Sequence, residues 1–312
     1  MLARKLIIFL FLLAAGCSVK QYQEVPAQKA VLASRPKPYF IPVAIVKLSS
    51  IQSPCVEIEI EDRQFIMELD LGFQGDLIIT KDSFNLIASK DFIREKQMYG
   101  FRGKQYPTNL YRILKVKIGK MTFNKPILQE GDSEFINDSV SVENGGPPSP
   151  QEPGRLGWKL FYNVNLLIDM KNSQIAFCDS IETLENQGYP INTLTKTSLY
   201  LERGLVEIFA ATGEGSLRCM LDTGATWNIL NTELREGVSL DQAMWDRSNI
   251  LNYPSLKIEG NDFGQIAFHR IPINLPIDID AILGMEFFQD QLVFLDFKNR
   301  CGYFSKKPLD DH

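Results

Sequence analysis

The stretch CMLDTGATWNIL, Cys219 to Leu230, sets one carboxylate, Asp222, between an apolar run and a turn of small residues, then returns at once to apolar residues. An Asp at the tip of a buried strand is costly as a bare charge, so it ends as a satisfied turn residue, a ligand, or a catalytic acid or base. Asp-x-Gly alone does not choose among these, because Asp and Gly are ordinary turn formers and short matches arise by chance. The choice depends on what surrounds it in the chain.

What surrounds it is a second copy. RLGWKLFYNVNLLIDMKNSQIAF, Arg155 to Phe177, lies on ILGMEFFQDQLVFLDFKNRCGYF, Ile282 to Phe304, at a constant offset of 127 residues. Leu156 meets Leu283, Gly157 meets Gly284, Phe161 meets Phe288, Asp169 meets Asp296, Asn172 meets Asn299 and Phe177 meets Phe304. The second half of each copy reads as two apolar strands around a polar Asp-x-Lys-Asn turn, which makes Asp169 and Asp296 hairpin residues rather than chemical ones. Upstream, Val56–Thr80 aligns with Val206–Thr232 if the second copy has a hairpin two residues longer at Gly213 and Gly215. Leu69, Asp70 and Gly72 then fall on Leu221, Asp222 and Gly224. A duplicated unit with one Asp per copy at the same strand end yields paired carboxylates when the copies pack about a pseudo-twofold axis.

Strand, LDTGAT and apolar residues, followed by Ile282-Leu283-Gly284 and a hairpin, resembles the retropepsin and pepsin-like aspartic proteases. Two such units resemble the bilobal pepsin arrangement, built here from compact retropepsin-like halves. The match spans about Ile41 to Phe304. It is specific in the second half, Asp222-Thr223-Gly224-Ala225-Thr226 with Ile282-Leu283-Gly284, and weaker in the first, Asp70-Leu71-Gly72 with Leu156-Gly157. The resemblance implies an all-β, bilobal acid-protease barrel: an N-terminal lobe over 41–180, a linker over 181–198 and a C-terminal lobe over 199–306.

It also implies an aspartic endopeptidase with Asp222 and Asp70 as a dyad and no metal or other cofactor. Two carboxylates about 3 Å apart cannot both ionise at ordinary cost, so they share a proton and divide the roles of base and acid. Thr223, Gly224, Thr226, Leu71 and Gly72 complete the two Asp loops. Leu71 and Gln74 depart from the family, which has hydroxyl residues there that link the loops across the lobes and hold the carboxylate. The alternative, from another class, is a weak or inactive peptide-binding scaffold that keeps the cleft without the rate. A flap over the substrate is expected at Tyr99, Gly100 and Phe101, within a hairpin bracketed by Gly100 and Gly103. The acidic, Pro- and Gly-rich stretch 130–154 reads as a solvated insertion loop with the option of lining the cleft.

Composition excludes other classes. The chain has 312 residues, 45% hydrophobic and 23% charged, with a formal net charge of -5 and scattered basic residues, which speaks against nucleic acid. Its two histidines, His269 and His312, form no Cys/His cluster for zinc, and no Gly-x-Ser-x-Gly elbow or phosphate-binding Gly loop occurs. The first 17 residues have Arg4, Lys5 and an apolar run, ending in Leu13-Ala14-Ala15-Gly16-Cys17. That ending resembles the lipobox of bacterial lipoproteins, which implies lipidation of Cys17, a membrane anchor in the bacterial cell envelope and a tether over 18–40. The partners expected are a peptide or protein substrate and the membrane, for a monomer that forms its own pseudo-dimer.

Overall fold

A computed structural model of the chain describes residues 43–48, 54–100, 103–131, 154–201, 204–233, 242–243, 246–274 and 278–306. Cys17, the leader, the tether, Phe101 and most of the 130–154 insertion lie outside the described residues.

The fold is all-β and bilobal. Nine strands form the first lobe's sheet, in spatial order Lys90–Tyr99, Gln105–Ile113, Ile127–Gly131, Leu77–Thr80, Gly154–Gly157, Arg63–Asp70, Cys55–Ile60, Lys115–Ile118 and Met121–Asn124. The second lobe repeats the order with eight: Ile250–Tyr253, Ile266–Ile271, Ile229–Asn231, Ala281–Leu283, Gly215–Leu221, Glu207–Thr212, Lys257–Ile258 and Asn261–Asp262. Parallel and antiparallel pairings match strand for strand, including Gly154–Gly157 parallel to Arg63–Asp70 and Ala281–Leu283 parallel to Gly215–Leu221. The strand Lys90–Tyr99 has no counterpart among the described residues.

A third sheet of six strands joins the lobes, in the order Val43–Lys47, Gln174–Cys178, Asn165–Asp169, Leu292–Asp296, Cys301–Phe304, Thr195–Ser198. Its register locates the twofold axis. Leu167 pairs with Phe294, Asn165 with Asp296 and Asp169 with Leu292, so Leu167 and Phe294, already equivalent by the 127-residue offset, meet each other and the axis passes between them. Asp169 and Asp296 sit at hairpin turns, each accepting the N–H of the Asn three residues on at 3.1 Å and 2.9 Å. The stretch expected to be a linker supplies a strand of this sheet, Thr195–Ser198, in the place that Val43–Lys47 takes in the other half.

Alternation explains the cores. In Arg63–Asp70 the side chains of Phe65, Met67 and Leu69 point inward, and in Cys55–Ile60 those of Val56, Ile58 and Ile60 do so. Each such side chain contributes roughly 1.5–3 kcal/mol on burial. They join one apolar cluster that runs through both lobes and includes Trp158, Phe161, Phe177, Phe297 and Phe304.

The strand register corrects the upstream alignment. Cys55 pairs with Glu68 and Ile60 with Arg63 in one hairpin, while Glu207 pairs with Met220 and Thr212 with Gly215 in the other. The hairpins are therefore equally long, and Val56 matches Ile208, not Val206. Glu61 and Asp62 take φ of 50° and 61°, the left-handed pair that a two-residue turn requires. Ala88 and Ser89 N–H groups tie the Glu61 carboxylate at 2.7 Å and 2.6 Å, which fixes this turn.

Candidate active site

Asp70 ends its strand, and Asp222 directly follows Gly215–Leu221, with its N–H on the carbonyl of Leu283 at 3.0 Å. Each loop presses its glycine on the other's carboxylate. A Cβ at Gly72 would stand 2.5 Å from Asp222 Cγ, and one at Gly224 would stand 2.7 Å from Asp70 Cγ. Real side chains never approach so closely, so glycine at both positions is what lets the carboxylates reach the junction. Asp70 Oδ1 accepts Phe73 N–H at 2.9 Å, and Asp222 Oδ1 accepts Gly224 N–H at 2.9 Å.

The carboxylates interact with each other, and their surroundings differ. Burial pushes the Asp222 carboxyl well above the usual range, and the charge of Asp70 and a hydrogen bond with it push the same way. The Gly224 N–H and the Arg155 charge oppose the rise. Burial and the neighbouring carboxylate thus favour the protonated form of Asp222. Arg155 Nη1 stands 3.2 Å from Asp70 Oδ2, and Arg155 Nε stands 3.1 Å from Glu68 Oε2, paired by charge rather than by an aligned hydrogen bond. Asp70 is 4% exposed, while Asp222 keeps more of its surface open.

Thr223 locks the two loops together. Its Oγ1 accepts Leu71 N–H at 3.1 Å and donates to the carbonyl of Leu69 at 2.5 Å, both in the opposite lobe and both buried. Leu71 has no hydroxyl to answer with; its side chain is fully buried in the main core. The cross-lobe link that Leu71 forgoes is thus carried from one side. Thr226 is exposed, and its carbonyl accepts Glu286 N–H at 3.2 Å. Gln74 lies partly buried beside Gly204.

No protein-family model and no curated protein matches the chain. A solved structure shares the architecture. Conglutin gamma, a basic 7S globulin from lupine seeds, superposes with a TM-score of 0.55 at 10% identity, over 85% of this chain and 95% of that one. At that identity the likeness shows the two-lobed half-barrel fold alone.

Beneath each Asp loop passes a Leu-Gly segment. A Cβ at Gly157 would lie 2.3 Å from the Gly75 carbonyl oxygen, and one at Gly284 2.2 Å from that of Trp227. Backbone cannot yield as a flexible side chain does. Gly284→Ala is therefore expected to cost about 3 kcal/mol, at the upper end of overpacking penalties, measured by denaturant unfolding. An equal substitution at Gly213, where nothing lies within 4 Å, is the control.

The hairpin Lys90–Tyr99/Gln105–Ile113 reaches from the first lobe to the second: a Cβ at its tip residue Gly103 would lie 3.0 Å from the Asn274 carbonyl oxygen. Gly100 donates to Lys104 O and Gly103 to Gly100 O, both at 2.9 Å, which closes the tip. Tyr99 is 44% exposed. The neighbouring pleat, unmarked in the sequence reading, carries Met98 and Tyr106, which pack with Phe73 and Ile78 beside the Asp70 loop. Sequence reasoning also missed Arg155 and Glu68; the one signal was Arg-Leu-Gly in the first copy where the second has Ile-Leu-Gly. Trp227, in the second loop, stacks on His269 at 4.3 Å.

Proposed function

We propose that the chain is an aspartic-type endopeptidase in which Asp70 and Asp222 activate a water between them. The observation that carries this reading is the reciprocal packing of Gly72 on Asp222 and Gly224 on Asp70, which brings two interacting carboxyl groups to the lobe junction, with the Asp222 carboxyl raised. Asp70, beside Arg155, takes a proton from the water as its oxygen bonds to the peptide carbonyl carbon. Asp222 gives its proton to the carbonyl oxygen, leaving a neutral gem-diol. Return of a diol proton to Asp222 and transfer of the Asp70 proton to the nitrogen then break the C–N bond and restore the dyad. The hairpin that touches Asn274 is the flap in this reading, and a lipid on Cys17 holds the monomer on a bacterial envelope membrane.

A second reading, peptide binding without turnover, is favoured by Arg155, which occupies Asp70 Oδ2. A broad peptide library incubated from acidic to neutral pH separates the two. New termini produced by the wild type and absent with Asp222→Asn support the protease; retained binding with no new termini supports the binder.

The raised Asp222 carboxyl sets a pH dependence. Activity needs its proton, so the alkaline limb of kcat/KM is expected above the ordinary carboxylate range. Stability follows the same group. A carboxyl whose folded value exceeds its unfolded one stabilises fully below the unfolded value and loses that contribution as pH rises through the folded one. Asp222→Asn is therefore expected to lessen the stability lost as pH rises above the ordinary carboxylate range, as read by thermal unfolding.

A further inference from the structure

The two lobes build the strand row beside the dyad in the same register from unlike residues. Leu69 and Leu156 enter the main core, so alternation turns Glu68 and Arg155, paired across parallel strands, to the other face. In the second lobe Met220 and Ile282 pair at the matching positions, buried within an apolar cluster. One lobe therefore closes this place with two apolar side chains, and the other closes it with an ion pair whose members are 10% and 12% exposed. Stability does not account for the ion pair, because a buried pair gains little over apolar residues of similar size. What sets it apart is where it ends: Arg155 Nη1 stands 3.2 Å from Asp70 Oδ2 while its Nε stands 3.1 Å from Glu68 Oε2. A carboxylate has about four lone-pair sites. Phe73 N–H and Arg155 engage one oxygen of Asp70 each, which leaves sites for Asp222 and for a water.

We propose that Arg155, held by Glu68, is the positioning residue that makes the dyad unequal, orienting Asp70 as the base and leaving Asp222 as the acid. This rests on the endopeptidase reading and adds to it what assigns the two roles. The Asp loops alone do not assign them, since each presses a glycine on the other's carboxylate and each Asp accepts a backbone N–H at 2.9 Å. A cation in contact with a carboxylate favours its charged form, and in this row the cation stands on Asp70. The same charge reaches Asp222, where it opposes the rise of the carboxyl. Glu68 holds the guanidinium fork from the far side and offsets part of its charge. Across the sheet the row continues from Glu68 to Cys55 and from Arg155 through Ile78 to Gln129, and Tyr106 of the hairpin lies in the cluster that holds Ile78. The charged members of the row are thus Glu68 and Arg155.

The test compares the wild type with Arg155→Met, Arg155→Lys and Glu68→Gln in steady-state cleavage, in pH profile and in the titration of the Asp222 carboxyl by carbon NMR. Arg155→Met is expected to lower kcat and kcat/KM alike, on the order of a hundredfold for a base about 1 Å out of place, with KM unchanged. It is also expected to move the Asp222 midpoint and the alkaline limb of the pH profile upward, because an opposing charge is gone. Glu68→Gln removes a negative charge and keeps the size, so it is expected to move the same midpoint downward. Arg155→Lys keeps the charge without the planar fork, and it is expected to restore the midpoint but only part of the rate. Opposite shifts from the two partners of one ion pair are what a purely structural role does not produce. Glu68→Gln decides the matter alone should Arg155→Met fail to fold. A midpoint that does not rise in Arg155→Met, one that does not fall in Glu68→Gln, or an unchanged or raised rate in Arg155→Met overturns the inference and leaves the endopeptidase reading standing. Absence of cleavage by the wild type overturns that reading instead, and the midpoints, which need no substrate, then decide whether Arg155 makes the dyad unequal.

Discussion

In the proposed endopeptidase, Asp222→Asn and Asp70→Asn are each expected to lower kcat by about 10²–10⁴-fold or more, the range for losing a general acid or base, while the chain stays folded. The expectation follows from the division of labour at the lobe junction. Asp222, its carboxyl raised by burial and by Asp70, brings the proton that the substrate oxygen needs. Asparagine keeps the shape, and Gly224 N–H still finds an oxygen, yet no acid remains. Asp70→Asn removes the base and takes one carboxylate away from the Arg155 guanidinium, which keeps Glu68. Because the two residues act as a unit, the double substitution is expected to cost little more than either single one, a non-additivity that independent sites do not show. Steady-state cleavage of one peptide by all four proteins measures it; additive losses contradict a shared mechanism.

Thr223→Val produces the second large effect. Valine matches threonine in shape but neither accepts from Leu71 N–H nor donates to Leu69 O, both buried. Leaving these two backbone groups unpaired costs about 2–6 kcal/mol in denaturant unfolding, from about 1–3 kcal/mol for each orphaned group. Thr223→Ser keeps the hydroxyl, and its expected cost of about 1 kcal/mol reflects one lost methyl. The rate falls too, since a shift of about 1 Å between the loops costs on the order of a hundredfold. Equal stabilities for the Val and Ser variants contradict the role given to this hydroxyl. Since Leu71 offers no hydroxyl in return, the first-lobe loop has no second bond of this kind to fall back on.

The fold was legible in the sequence where chemistry is local. Asp-x-Gly followed downstream by Leu-Gly survives in both copies because close backbone approach tolerates no side chain at Gly157 or Gly284, and that constraint leaves a readable mark. Other features were hidden because they arise from pairing. The identical letters Val-Glu-Ile at Val56 and Val206 suggested an alignment two residues out of step, whereas the ladders set Val56 against Ile208. Glu68 and Arg155 are far apart in the chain and meet through a parallel register that no local pattern announces. The alternation of the hairpin strands gave two pleats without saying which one packs beside the Asp70 loop, so Met98 and Tyr106 went unmarked. Leu71 showed only the missing hydroxyl, which is visible in sequence, whereas the double use of Thr223 is not.

If two carboxyl groups from opposite lobes share one proton, titration of the Asp222 side-chain carboxyl by carbon NMR shows it without any substrate. The expected midpoint lies well above the ordinary carboxylate range and drops when Asp70 is replaced by Asn, burial sustaining what remains of the rise. A midpoint in the ordinary range, or one that ignores the Asp70 substitution, contradicts it.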